Sequence, residues 1–234
     1  MDPEDNEAAL PRGTGAGSVR GGVSHSAKQP GIRRIGVFCG SAEGNDPAFA
    51  AAAAVLGRLL AETRIGLVYG GARVGIMGIV ADAAMSVGGE VIGVLPRGLE
   101  KREIAHGGLT RLHIVDSMHE RKALMSELSD AFVALPGGVG TLEEFFEAWT
   151  WGLLGIHKKP CGLLNTQGFY EPLLDLMDHI VGHGFLRAQH REIVLVDNDP
   201  GRLLDALQTY FPPQHKWDGD PARELQGGQE TGIE

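Results

Sequence analysis

The chain has 234 residues, of which 43% are hydrophobic, and a net charge of -9 at pH 7, which suits one α/β domain with a sizeable core. The acidic balance excludes a surface that coats nucleic acid, because binding a polyanion needs a basic face. No apolar run has the length of a membrane span and the first residues lack the apolar core of a signal peptide, so a cytoplasmic protein with neither a nucleic-acid nor a membrane partner is expected.

Residues 1–31 are rich in Gly, Ser, Pro and charge, have no periodicity, and read as a disordered tail. The folded unit then runs over 32–211. Residues 35–39 form a first strand, and 46–62 an alanine-rich helix with Asp46 and Pro47 suited to its first positions. Strand 66–69 leads to helix 76–87, and strands 90–95 and 111–115 follow. Ser117 and Glu120 make a capping box that opens a helix through 128. Strand 131–135, helix 141–154, strand 161–164, helix 169–182, strand 193–196 and helix 200–210 complete the unit. Pro212 and Pro213 end the last helix, and 212–234 reads as a flexible C-terminal tail. Strands alternating with helices indicate an α/β fold: a Rossmann-like, doubly wound, mainly parallel sheet with helices on both faces. Each strand is then apolar throughout, as these mostly are. Cys39 and Cys161 sit in apolar strands and read as buried free thiols.

Loops that follow parallel strands emerge on one edge of the sheet, where ligands bind. Three of them are glycine-rich: 39–44 with Gly40 and Ser41, 69–78 with Gly70, Gly71, Gly75 and Met77, and 136–140 with Gly137, Gly138, Val139 and Gly140. Three such loops on one edge are expected to line one pocket. The third, read as a strand, a glycine turn and a helix opening on Thr141, makes an anion site for which phosphate is the obvious guest. It begins like a dinucleotide fingerprint but lacks the third glycine, and no Gly-Lys-Ser/Thr follows, so neither the dinucleotide nor the Walker reading holds. The nine histidines are scattered, with no HExxH and no Cys pair at ligand spacing, so no metal and no cofactor are expected. Arg121 and Lys122 fall in the first turns of a helix, where positive charge opposes the macrodipole unless an anion is near; a solvated basic pair is the plain alternative.

The segments MHERKALM (118–125) and PGGVGTLEE (136–144) together resemble the LONELY GUY (LOG) family, phosphoribohydrolases that release free base and ribose 5-phosphate from cytokinin riboside 5′-monophosphates. The resemblance covers most of 33–211, including the loops at 39–41 and 69–78 and the stretch TWGLLGIHKKP (150–160). It implies that Arg121 and Glu144 are the catalytic pair and that Lys122, the 138–144 loop with Thr141, and Thr150 contact the nucleotide. Where plant members carry a glutamate that contacts substrate, this chain has His106.

The residues themselves leave alternatives. Glu144 reads either as a catalytic carboxylate or as the third-position partner of a Thr141 capping box. Met118, His119 and Trp149 either line a base pocket or merely pack. N-glycosidic hydrolysis develops positive charge on the ribose, which suits a carboxylate at Glu144 that also orients water. Arg121 stabilises charge on the departing base or clamps ribose or phosphate, and is a poor proton donor. The function expected is hydrolysis of cytokinin riboside 5′-monophosphates, with a broader nucleotide nucleosidase or a non-catalytic nucleotide or cofactor carrier of the same fold as alternatives. Helix 141–154 is apolar on more than one face, since Trp149 and Trp151 point apart, so a homodimer with shared active sites is also expected.

Overall fold

Wholly apolar strands need cover on both faces, and the chain supplies it by alternating them with helices. The computed structural model describes residues 31–100 and 104–213. Both expected tails lie outside the described residues, apart from Gly31, Pro212 and Pro213. In chain order come β1 (Arg34–Phe38), α1 (Pro47–Glu62), β2 (Gly66–Tyr69), α2 (Gly75–Ser86), β3 (Val91–Pro96), a short α3 (Arg97–Glu100), β4 (Arg111–Val115), α4 (Met118–Leu128), β5 (Ala131–Ala134) and α5 (Val139–Leu153). Then follow β6 (Cys161–Leu164), a 3₁₀ turn (Thr166–Gly168), α6 (Glu171–Gly182), a short α7 (Ala188–Arg191), β7 (Val194–Asp197) and α8 (Pro200–Thr209).

The strands form one sheet in the order β4-β3-β2-β1-β5-β6-β7, and every pairing is parallel. Ile35 lies opposite both Leu67 of β2 and Ala131 of β5, so β1 is the central strand from which the chain winds first one way and then the other. The doubly wound α/β fold is therefore observed, with a wholly rather than mainly parallel sheet. One buried cluster joins β1 and β2 to α1, α2 and α8 through Leu56, Leu60, Val80 and Leu203. A second joins the other face to α4, α5 and α6 through Met125, Phe145, Trp149 and Met177.

Helix starts follow the local chemistry. Asp46 accepts the N–H of Ala48 at 2.8 Å, with Pro47 in the first position of α1. Ser117 Oγ accepts the N–H of Glu120 at 3.1 Å, and the Glu120 carboxylate reaches back to the N–H of Asp116 at 3.0 Å. The capping box at 117–120 thus forms, with its return bond one residue further out than expected. At α5 the expected start is wrong. The helix begins at Val139, with Gly138 as its cap, and Thr141 is already its third residue. The Thr-x-x-Glu pattern suggested a cap, but Thr141 is buried beneath Gly137, where a methyl group would strike its hydroxyl. Helix α6, by contrast, begins two residues later than expected, at Glu171, because Tyr170 (φ -93°, ψ 0°) is held as its cap, its N–H donating to Asn165 Oδ1 at 2.7 Å. Among the described residues no helix is long and apolar enough to cross a membrane.

Candidate active site

Because β1 and β5 are neighbours whose following helices go to opposite faces, their loops part at the C-terminal edge and leave a crevice. The three glycine loops meet there. Gly40 N–H donates to Pro136 O at 3.2 Å, and Met77 N–H donates to Gly40 O at 3.3 Å. Gly75, at φ 56°, lies so close to the Ser41 and Ala42 backbone that no side chain fits. The result is a cleft of about 430 Å³, within the usual size of a small-molecule site.

Arg121, from the first turns of α4, and Glu144, from α5, meet on its wall. Arg121 Nη2 stands 3.0 Å from Glu144 Oε1, and the two side chains are 11% and 8% exposed. Gly70 makes this possible, since a methyl group there would collide with the Arg121 guanidinium. A second guanidinium nitrogen, Nη1, lies 3.9 Å from the Met118 sulfur, and Nε is buried without a partner. Burial pushes the Glu144 carboxyl above the usual carboxylate range; the Arg121 charge opposes that shift, as does Lys122, while Glu143 and Glu147 reinforce it. A capping-box role for Glu144 falls with the Thr141 cap. Cys39 also lines the cleft, and burial, then the Glu144 charge, raise its thiol pKa far enough to keep it protonated and inert as a nucleophile.

The start of α5 forms the adjoining wall. Gly138, Val139, Gly140 and Thr141 line the cleft, and Gly138 caps the helix with no side-chain bond. Helix N–H groups without a cap, at the positive end of the macrodipole, make a seat for an anion. Methyl groups at Gly138 or Gly140 would meet nothing within 4 Å, so packing does not require glycine at either place. Among the described residues no group of three His, Cys, Asp or Glu side chains could hold a metal ion.

The cleft thus gathers Gly40, Ser41, Gly70, Met77, Met118, Arg121, Glu144 and the 138–141 segment. Gly71, Gly75 and Gly137 shape the loops behind this lining. His106 stands apart, with Nε2 3.1 Å from Asp82 Oδ1. His119 and Thr150 are exposed and do not line the cleft. Trp149 packs in the core, its indole N–H donating to His190 O at 3.1 Å. Lys122 turns away behind α5, where its ammonium pairs with Glu143 at 2.5 Å and Glu147 at 3.0 Å. Sequence reasoning missed the apolar wall of Leu95, Leu99 and Ile104. The signal for it was topological: β3 ends on the same edge, so the segment that follows it faces the same crevice. It also missed Glu147, although the spacing of Glu143 and Glu147 puts both carboxylates on one helix face.

Residues 77–207 match the family model described as "Possible lysine decarboxylase". The cytokinin riboside 5′-monophosphate phosphoribohydrolase of Rhodococcoides fascians is 50% identical over 188 residues, which cover 80% of this chain and 94% of that protein. The enzyme of the same name from Arabidopsis thaliana, LOG7, is 47% identical over 181 residues, covering 77% of this chain and 83% of its own. Among solved structures, the molybdenum cofactor binding protein of Rippkaea orientalis superposes with a TM-score of 0.58 at 22% identity, over 75% of this chain and 95% of that one. At that identity the likeness is one of fold.

Proposed function

The chain belongs to the LONELY GUY (LOG) family of cytokinin riboside 5′-monophosphate phosphoribohydrolases, and we propose that it hydrolyses the N-glycosidic bond of N6-substituted adenosine 5′-monophosphates to free base and ribose 5-phosphate. The observation that carries this reading is the buried Arg121–Glu144 pair beside the uncapped start of α5. In it the 5′-phosphate sits on the first N–H groups of α5, which positions the ribose over Glu144. The carboxylate stabilises positive charge on the ribose and orients the attacking water; its raised pKa makes it a better base than a solvated glutamate. Arg121 supplies a fixed positive charge to the anionic base or to the ribose phosphate, and its unpartnered Nε is available to the substrate.

The decarboxylase description of the family model finds no support among the described residues of the site. Pyridoxal chemistry needs a lysine at the cofactor, and among the described residues no lysine lines the cleft. Two buried free thiols fit a reducing, cytoplasmic setting. A homodimer is also part of the proposal. Thr150, which the family resemblance assigns to the nucleotide, is exposed on α5 outside this chain's own cleft, near Leu154 and Ile156, which are 55% and 64% exposed. A second copy seated on that end of α5 would cover them and bring Thr150 toward its own cleft.

Steady-state kinetics test the substrate class. The N6-isopentenyl nucleotide and adenosine monophosphate are expected to react, with the matching ribosides poorer by at least about a hundredfold in kcat/KM. Equal turnover of riboside and nucleotide would remove the phosphate from the account.

A further inference from the structure

Lys122 follows Arg121 directly, yet the two serve different places, because consecutive helix residues point about 100° apart. Arg121 enters the cleft. Lys122 is 11% exposed, and its ammonium lies between Glu143, itself 51% exposed, and Glu147, 26% exposed. Hydrogen bonding to Glu143, and then to Glu147, holds the ammonium in its charged form. Glu143 matters here because it also lines the cleft, one helical turn after Val139. An unpaired carboxylate there would repel any anion at the start of α5, in the place where the helix dipole attracts one.

We infer that Lys122 serves the phosphate seat indirectly: it cancels the charge of Glu143 from behind α5 and does not touch the ligand. Glu147 shares the ammonium from the side away from the cleft, so the three side chains form a closed bridge between α4 and α5. Lys122 is thus a positioning residue. This inference rests on the nucleotide reading above, since it presumes that an anion occupies the start of α5.

The test is calorimetric titration of the full-length protein with inorganic phosphate, which requires no turnover. Variants K122M, E143Q and K122M/E143Q are compared with the wild type, with KM for the N6-isopentenyl nucleotide as a second readout. K122M is expected to weaken phosphate binding about tenfold, from one unscreened charge near a dianion. The double variant is expected to return to within about threefold of the wild type, and E143Q alone to bind phosphate at least as well as the wild type. A double variant closer to K122M than to the wild type would mean direct contact by Lys122 and overturn the inference, as would a K122M that binds normally. If K122M does not fold, E143Q decides alone, because weaker phosphate binding there would show the bridge to be structural. A wild type that binds phosphate but hydrolyses no nucleotide would remove the enzymatic reading and leave this one standing.

Discussion

Arg121 Nη2 and Glu144 Oε1 lie 3.0 Å apart with both side chains almost wholly buried, and the space for that contact comes from Gly70 on a third loop. A buried ion pair of this kind adds little net stability, because desolvation offsets the attraction. Its place at the sheet's switch point is where the proposed hydrolysis requires it.

Arg121→Ala is expected to lower turnover by at least about a hundredfold. It also removes the charge that holds the Glu144 pKa down, so any residual activity should need a higher pH than the wild type. A pH profile of kcat/KM checks this; an unchanged acid limb would separate the two residues.

Glu144→Gln makes a prediction about stability. The folded pKa of Glu144 is raised, so the folded state binds its proton more tightly than the unfolded chain does. Its stabilising contribution is present at pH values below the ordinary glutamate pKa and is lost as pH rises through the raised value. The Tm of E144Q relative to wild type should therefore be more favourable at pH 8 than at pH 4, while turnover at pH 8 falls at least about a hundredfold. Thermal melts at the two pH values check the sign.

Two glycines side by side should behave differently. Gly137→Ala drives a methyl group into Thr141 and is expected to cost about 1–3 kcal/mol of stability. Gly138→Ala meets open space within the chain, so it should melt like the wild type and show its effect in a raised KM. Denaturation curves and kinetics on both variants tell folding from binding.

Much of the fold was legible because its strands are short and mostly apolar: 66–69, 111–115 and 161–164 coincide with observed strands. Caps at Asp46 and Ser117 were legible because their side chains act on their own neighbours in sequence. The start of α5 was not, since Thr141 obeys a local pattern that the tertiary contact with Gly137 overrides. Helices α3 and α7 have four residues each, too few to show a period. For the site, glycine loops on one edge predicted the cleft, but only the family motif joined Arg121 and Glu144 as a pair. The turning of Lys122 behind α5 depends on carboxylates twenty-odd residues away, which no local pattern reveals.

Tyr69 offers a check on the core beneath the site. Its hydroxyl is buried without a partner, and burial raises its pKa. Tyr69→Phe removes an unsatisfied polar group and is expected to leave Tm unchanged or raise it. A clear drop in Tm by calorimetry would mean that the hydroxyl has a partner.

Sedimentation equilibrium addresses the proposed dimer. A dimer at micromolar concentration is expected, and Ile156→Asp should weaken it by placing a charge on the covered face. A monomer with full activity would contradict the shared site.

The proposed reaction breaks a glycosidic bond in this cleft and leaves the phosphoester intact. Chromatographic analysis of the products from N6-isopentenyladenosine 5′-monophosphate tests it most directly. Equal amounts of free N6-isopentenyladenine and ribose 5-phosphate are expected, with the yield abolished in E144Q. Release of inorganic phosphate and riboside, or undiminished product from E144Q, would contradict it.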